Sequence, residues 1–144
     1  MRFYKNKKYI FLDVDYSYDT KKFNYYVDGI YISDGNQIEP HENDWNHDND
    51  IYVERGVYLK RINANYEFIN EDTINSYMIE FNPVLNDEIY ICENIKYKCI
   101  MKFRFAYLHG SIYNKNPLLI LLMSNNGTYR IVENKHFLEH FSKN

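Results

Sequence analysis

From Lys96 to His109 the chain reads KYKCIMKFRFAYLH, and its residues alternate in character. Tyr97, Cys99, Met101, Phe103, Phe105 and Tyr107 fall on one parity, and Lys96, Lys98, Ile100, Lys102, Arg104 and Ala106 on the other. Successive side chains of a strand point to opposite faces, so this alternation predicts a long strand with one apolar-aromatic face and one mostly basic face. The apolar parity is the strongest core expectation in the sequence, the face on which other strands or a terminal helix should pack.

The rest of the chain supplies partners for such a strand. Residues 7–16 (KKYIFLDVDY) carry apolar residues on both parities and read as a central strand, with Asp13 and Asp15 solvated at its end. Residues 23–33 hold Asp28-Gly29 between two β-prone runs, a hairpin signal, the alternative being one long strand with a bulge at Gly29. Residues 36–50 (NQIEPHENDWNHDND) read as a polar surface loop, because Pro40 and the density of Asn and Asp argue against regular structure. Residues 51–62 suggest one strand or two around Gly56. Asp72 could cap a brief turn, but 73–81 (TINSYMIEF) reads more naturally as a strand.

A turn is expected at Glu93-Asn94. The apolar run Leu118–Met123 followed by Asn126-Gly127 and TYRIV predicts a hairpin of about 118–124 with 128–132 through a two-residue type I′ turn. The run lacks polar alternation, so it should be buried on both faces or at a subunit contact. Asn134 would cap a short C-terminal helix whose Phe137, Leu138 and Phe141 form an apolar stripe. Together these elements predict a mainly β, single-domain chain over residues 1–144: an antiparallel barrel, roll or sandwich with a short C-terminal helix.

Composition narrows the classes of function. A formal net charge of -3 and a pI near 5.9 weaken any claim of non-specific nucleic-acid affinity. No apolar run approaches membrane-spanning length, and the N-terminal stretch lacks a signal-peptide core, so the expected setting is the cytoplasm, the host's if the source is viral. With 19 Asn and 16 Tyr against two Ala, the usage follows A/T-rich codons and points to a very A/T-rich genome, such as that of some viruses or phages. Cys92 and Cys99 form no CxxC pair and are expected to be reduced thiols.

Three constellations could carry chemistry. Asp44, Asn46, Asp48 and Asp50 open a calcium-loop pattern that fails at Asn49 and Arg55, and His41 and His47 lie beside it. His136-Phe137-Leu138-Glu139-His140 spells the inverted zinc-protease motif, but it lies at the end of the chain with no third ligand downstream. Neither yields a metal site, and no glycine-rich phosphate loop or nucleophile elbow occurs, so no cofactor, metal or catalytic residue is assigned. Lys96, Lys98, Lys102 and Arg104 form a basic track, and Trp45 is an apolar anchor in the polar stretch; these five are the expected interface residues. The leading expectation is a non-enzymatic protein–protein interaction module, an inhibitor or a viral or phage accessory factor, with homodimerisation as an option. The alternatives are a nucleic-acid-binding β-barrel and a small metal-dependent hydrolase or nuclease.

Overall fold

The computed structural model describes residues 7–47, 50–105 and 117–144, with side chains described outside 35–54. Its elements are β1 (Lys8–Ser17), β2 (Lys22–His47), β3 (Asp50–Arg61), β4 (Glu67–Asn70), α1 (Glu71–Tyr77), β5 (Met78–Glu80), β6 (Ile89–Cys92), β7 (Ile95–Arg104), β8 (Leu118–Ser124), β9 (Tyr129–Glu133), α2 (Asn134–His140) and β10 (Ser142–Lys143). They form two five-stranded antiparallel sheets, ordered β4-β3-β2-β1-β5 and β10-β6-β7-β8-β9. The chain is thus mainly β with a short C-terminal helix, as its alternating patterns require. It gathers into two compact units, Met1–Phe11 with Gly29–Phe81 and Leu12–Asp28 with Asn82–Asn144.

In the first unit Tyr9, Tyr31, Val57, Leu59, Ile74 and Met78 form the core, with Phe11 and Ile69 packed against it. Within the polar stretch expected as a loop over 36–50, residues 36–47 belong to β2, and His47 pairs with Asp50 at the start of β3. Two register shifts, between Ser33 and Ile38 and between Glu42 and Asn46, absorb the irregular sequence. A strand tolerates proline where its missing N–H would face away from a partner, so Pro40 opposite Arg55 does not end the ladder. The side chains of the calcium-loop pattern, Asp44, Asn46, Asp48 and Asp50, and those of His41 and His47, lie outside the described ones.

No turn forms at Asp28-Gly29 either, since β2 passes straight through. Gly29 instead makes room: a Cβ there would stand 2.9 Å from Arg61 Nε. The Arg61 guanidinium lies over the Tyr31 ring and donates to its hydroxyl at 2.8 Å. Gly56 likewise sits inside one continuous β3, where a Cβ would meet Asn70 Cα at 2.8 Å. The expected strand over 73–81 is mostly helix. Asn70 caps α1 by accepting from the Thr73 N–H at 2.7 Å, Glu71 and Asp72 occupy the favourable first turn, and Ile74 is buried.

In the second unit β6 and β7 turn through Glu93 and Asn94, both at positive φ (51° and 65°), so the two-residue mirror-image turn falls here. The β8–β9 hairpin is where it was expected, but its loop is longer. The Gly127 N–H donates to the Ser124 carbonyl at 3.0 Å, Gly127 alone in the loop has positive φ, and Ser124 closes the loop by accepting from Thr128 N–H. The side chains of Ser124 and Asn126 hydrogen-bond each other across it. Leu119, Ile120, Leu121 and Leu122 are wholly buried, and β8 lies between β7 and β9 rather than at an edge. Its unbroken apolar run is therefore satisfied within the chain and calls for no second copy.

Candidate functional site

Register fixes which side chains share a face, because directly opposed residues point the same way. Tyr97 opposes Ser124 and Cys99 opposes Leu122, but after a bulge between Cys99 and Met101, Met101 opposes Leu121 and Phe103 opposes Leu119. Leu121 and Leu122 point to opposite sides of β8. The apolar parity of β7 is therefore divided: Tyr97 and Cys99 face one side of the sheet, Met101 and Phe103 the other. All are buried except Cys99, which is half-buried, so the core expectation holds for burial and fails for its single face. Tyr107 lies outside the described residues.

The same bulge divides the basic track. Lys98 opposes Met123, whereas Lys102 opposes Ile120 and Arg104 opposes Leu118. Lys96 and Lys98 thus stand on one side of the sheet, and Lys102 and Arg104 on the other. All four are exposed, and they form no continuous stripe. Trp45 lies on β2, and its side chain falls outside those described.

The side bearing Tyr97 carries α2. Phe137 and Phe141 are buried there with Cys92, Tyr97, Ile120, Leu122 and Val132, while Leu138, expected in the same stripe, is 70% exposed. Asn134 begins the helix, and Glu133 takes the cap position without a side-chain bond. Tyr90 meets Phe137 edge-on at 4.8 Å, and Tyr97 meets Phe141 at 5.4 Å. Arg130 opposes Leu122 and so enters this aromatic layer from β9. Its Cζ lies 5.8 Å from the Tyr97 ring centroid and 5.4 Å from that of Phe141, and it donates to the Tyr97 hydroxyl at 3.3 Å. Among the described residues no carboxylate pairs with it.

His136 and His140, one helical turn apart, bring their rings to 4.4 Å, and His136 also meets Phe141 at 6.2 Å. Burial, and then the charges of His140, Arg130 and Lys22, pull the His136 pKa down, with Glu139 acting the other way. The geometry brings the two motif histidines together as expected. Among the described residues, however, no three His, Cys, Asp or Glu side chains converge to hold a metal. At the end of β6 a second polar group forms. Glu88 accepts from Lys143 Nζ at 2.9 Å and from the Tyr90 hydroxyl at 2.8 Å, bonds that hold its carboxyl below the usual range. Burial pushes the neighbouring Cys99 thiol up, with Lys102 pulling it down.

The turn between β1 and β2 presents a third feature. Tyr16 packs against Phe23 at 4.8 Å and takes Tyr18 edge-on at 5.0 Å, and Tyr18 remains 85% exposed. Arg130, Lys22 and this ring cluster did not stand out from the sequence. Arg130 shares the parity of buried Val132 after the Asn126-Gly127 turn, which was the available trace, but its partner Tyr97 is 33 positions away. No helix among the described residues is long and apolar enough to cross a membrane. No protein-family model matches the chain, and neither a curated protein nor a solved structure is found to resemble it.

Proposed function

We propose that the chain is a non-enzymatic protein-recognition module that engages its partner through the aromatic tip of the β1–β2 hairpin. The supporting observation is Tyr18, which is 85% exposed while held edge-on against Tyr16, itself packed on Phe23. Rings held in place before contact lose little conformational entropy on binding, and tyrosine is enriched among residues that dominate interface energies. The composition favours an inhibitor or a viral or phage accessory factor within this class. A nucleic-acid role would draw on cations and stacking rings along one face, and the division of Lys96 and Lys98 from Lys102 and Arg104 leaves that alternative with less support.

The test is affinity capture from the native cell or host with the intact chain and with Tyr18→Ala. A partner retained by the intact chain should be lost from the variant, while the melting temperature stays within a degree or two, as befits an exposed side chain. Equal capture by both proteins would refute the assignment of the tip.

A further inference from the structure

We infer that Arg130 and His136 form a binding site for a single oxyanion, a carboxylate or a phosphate group. This inference does not depend on the hairpin tip. Arg130 and His136 share one platform: the guanidinium carbon lies 5.4 Å from the Phe141 ring centroid and the imidazole centroid 6.2 Å from it. The guanidinium is half-buried on two rings, and its neighbours among the described residues are Tyr97, Phe141 and Cys92. A guanidinium has five donors in a fixed fork, so the Tyr97 hydroxyl and the Cys92 sulfur together leave donors for a ligand, and that fork matches a carboxylate or phosphate edge. Stacking fixes its direction before a ligand arrives.

Electrostatics decide the sign of the ligand. The paired histidines alone would suit a divalent metal, but Arg130 and Lys22 both bear on His136, and the opposing carboxylate is Glu139, 3.9 Å from His140 Nε2. A divalent cation would enter a field already positive, whereas an oxyanion would relieve the repulsion among Arg130, Lys22 and the imidazoles. The chain's net charge of -3 also selects for size. A long polyanion is repelled by the whole molecule, while one anionic group feels chiefly the local cations within a Debye length.

An oxyanion seated here would favour the protonated form of His136 and raise its pKa, since an adjacent opposite charge stabilises the imidazolium. The experiment follows the His136 ring protons by NMR across a pH series, at constant ionic strength set with chloride. One arm adds inorganic phosphate, and a second adds a short glutamate-containing peptide. A saturable upward shift of the His136 pKa is expected in at least one arm, and the arm that responds identifies the ligand. Lys22→Gln, which changes an exposed residue, should weaken binding severalfold. Arg130→Gln should weaken it by about tenfold or more, the loss expected for a charge-assisted hydrogen bond. Arg130→Lys keeps the charge without the fork and should fall between. If Arg130→Gln does not fold, Lys22→Gln and Arg130→Lys decide the matter. No shift in either arm at tens of millimolar, or the same shift with chloride alone, would overturn the site.

Discussion

At the scale of single residues, two glycines in continuous strands do different work. A methyl group at Gly56 would press on the backbone of β4 at Asn70 and on the Phe68 ring, so Gly56→Ala should cost about 3 kcal/mol, measured by urea unfolding. At Gly29 the obstacle is the end of the Arg61 side chain, which can swing away. Gly29→Ala should therefore cost about 1 kcal/mol or less, the worth of the Arg61–Tyr31 hydrogen bond. Neither role was legible, because a glycine kept for close approach reads in sequence like a glycine kept for a turn. Asn70 was hidden for another reason. The apolar spacing of Ile74, Met78 and Ile79 suits a strand as well as a helix, and only the capping bond to Thr73 settles the choice. Asn70→Ala should remove that bond and lower stability by about 1 kcal/mol.

At the scale of elements, β7 is the instructive case. Its alternation predicted burial well, because Tyr97, Met101, Phe103 and Phe105 are apolar whichever way they point. It could not predict the division between two faces, since one extra residue leaves the sequence parity unbroken. Ile100, an aliphatic residue in the basic parity, was the one trace of the irregularity. The division has a measurable consequence: Lys102 acts on the Cys99 thiol, while Lys98 points to the other side. Lys102→Glu should raise the Cys99 pKa and slow its alkylation near neutral pH, whereas Lys98→Glu should leave the rate unchanged, with Cys92 buried and slow in both. The β8 run was legible for the opposite reason, since a stretch of leucines with no polar alternation has no solvent face to offer. Its polar counterpart, 36–47, misled because asparagine and aspartate signal loops only when no neighbouring strand holds them.

At the scale of the whole molecule, acid should act through α2. Burial and nearby positive charge place the folded pKa of His136 below the ordinary imidazole value of 6.5. Between that lower value and about 6.5 the unfolded chain binds more protons than the folded one, so stability is full above this window, falls as pH drops through it and levels off below. His136→Gln should flatten the melting temperature against pH in that window, and thermal unfolding at a series of pH values measures it. Glu88 contributes in a lower window: its folded pKa is depressed, so its contribution is present above 4.5 and lost as pH falls through the folded value. The bulge in β7 also bears on what the chain avoids before it folds. Straightened, the stretch from Ile95 to Phe105 is a strand whose apolar flank would stack, copy upon copy, into a dry zipper. A peptide of residues 95–105 should assemble into thioflavin-positive fibres, whereas in the native molecule the single extra residue divides that flank between the two sides of its sheet and leaves no straight template on which a fibre can grow.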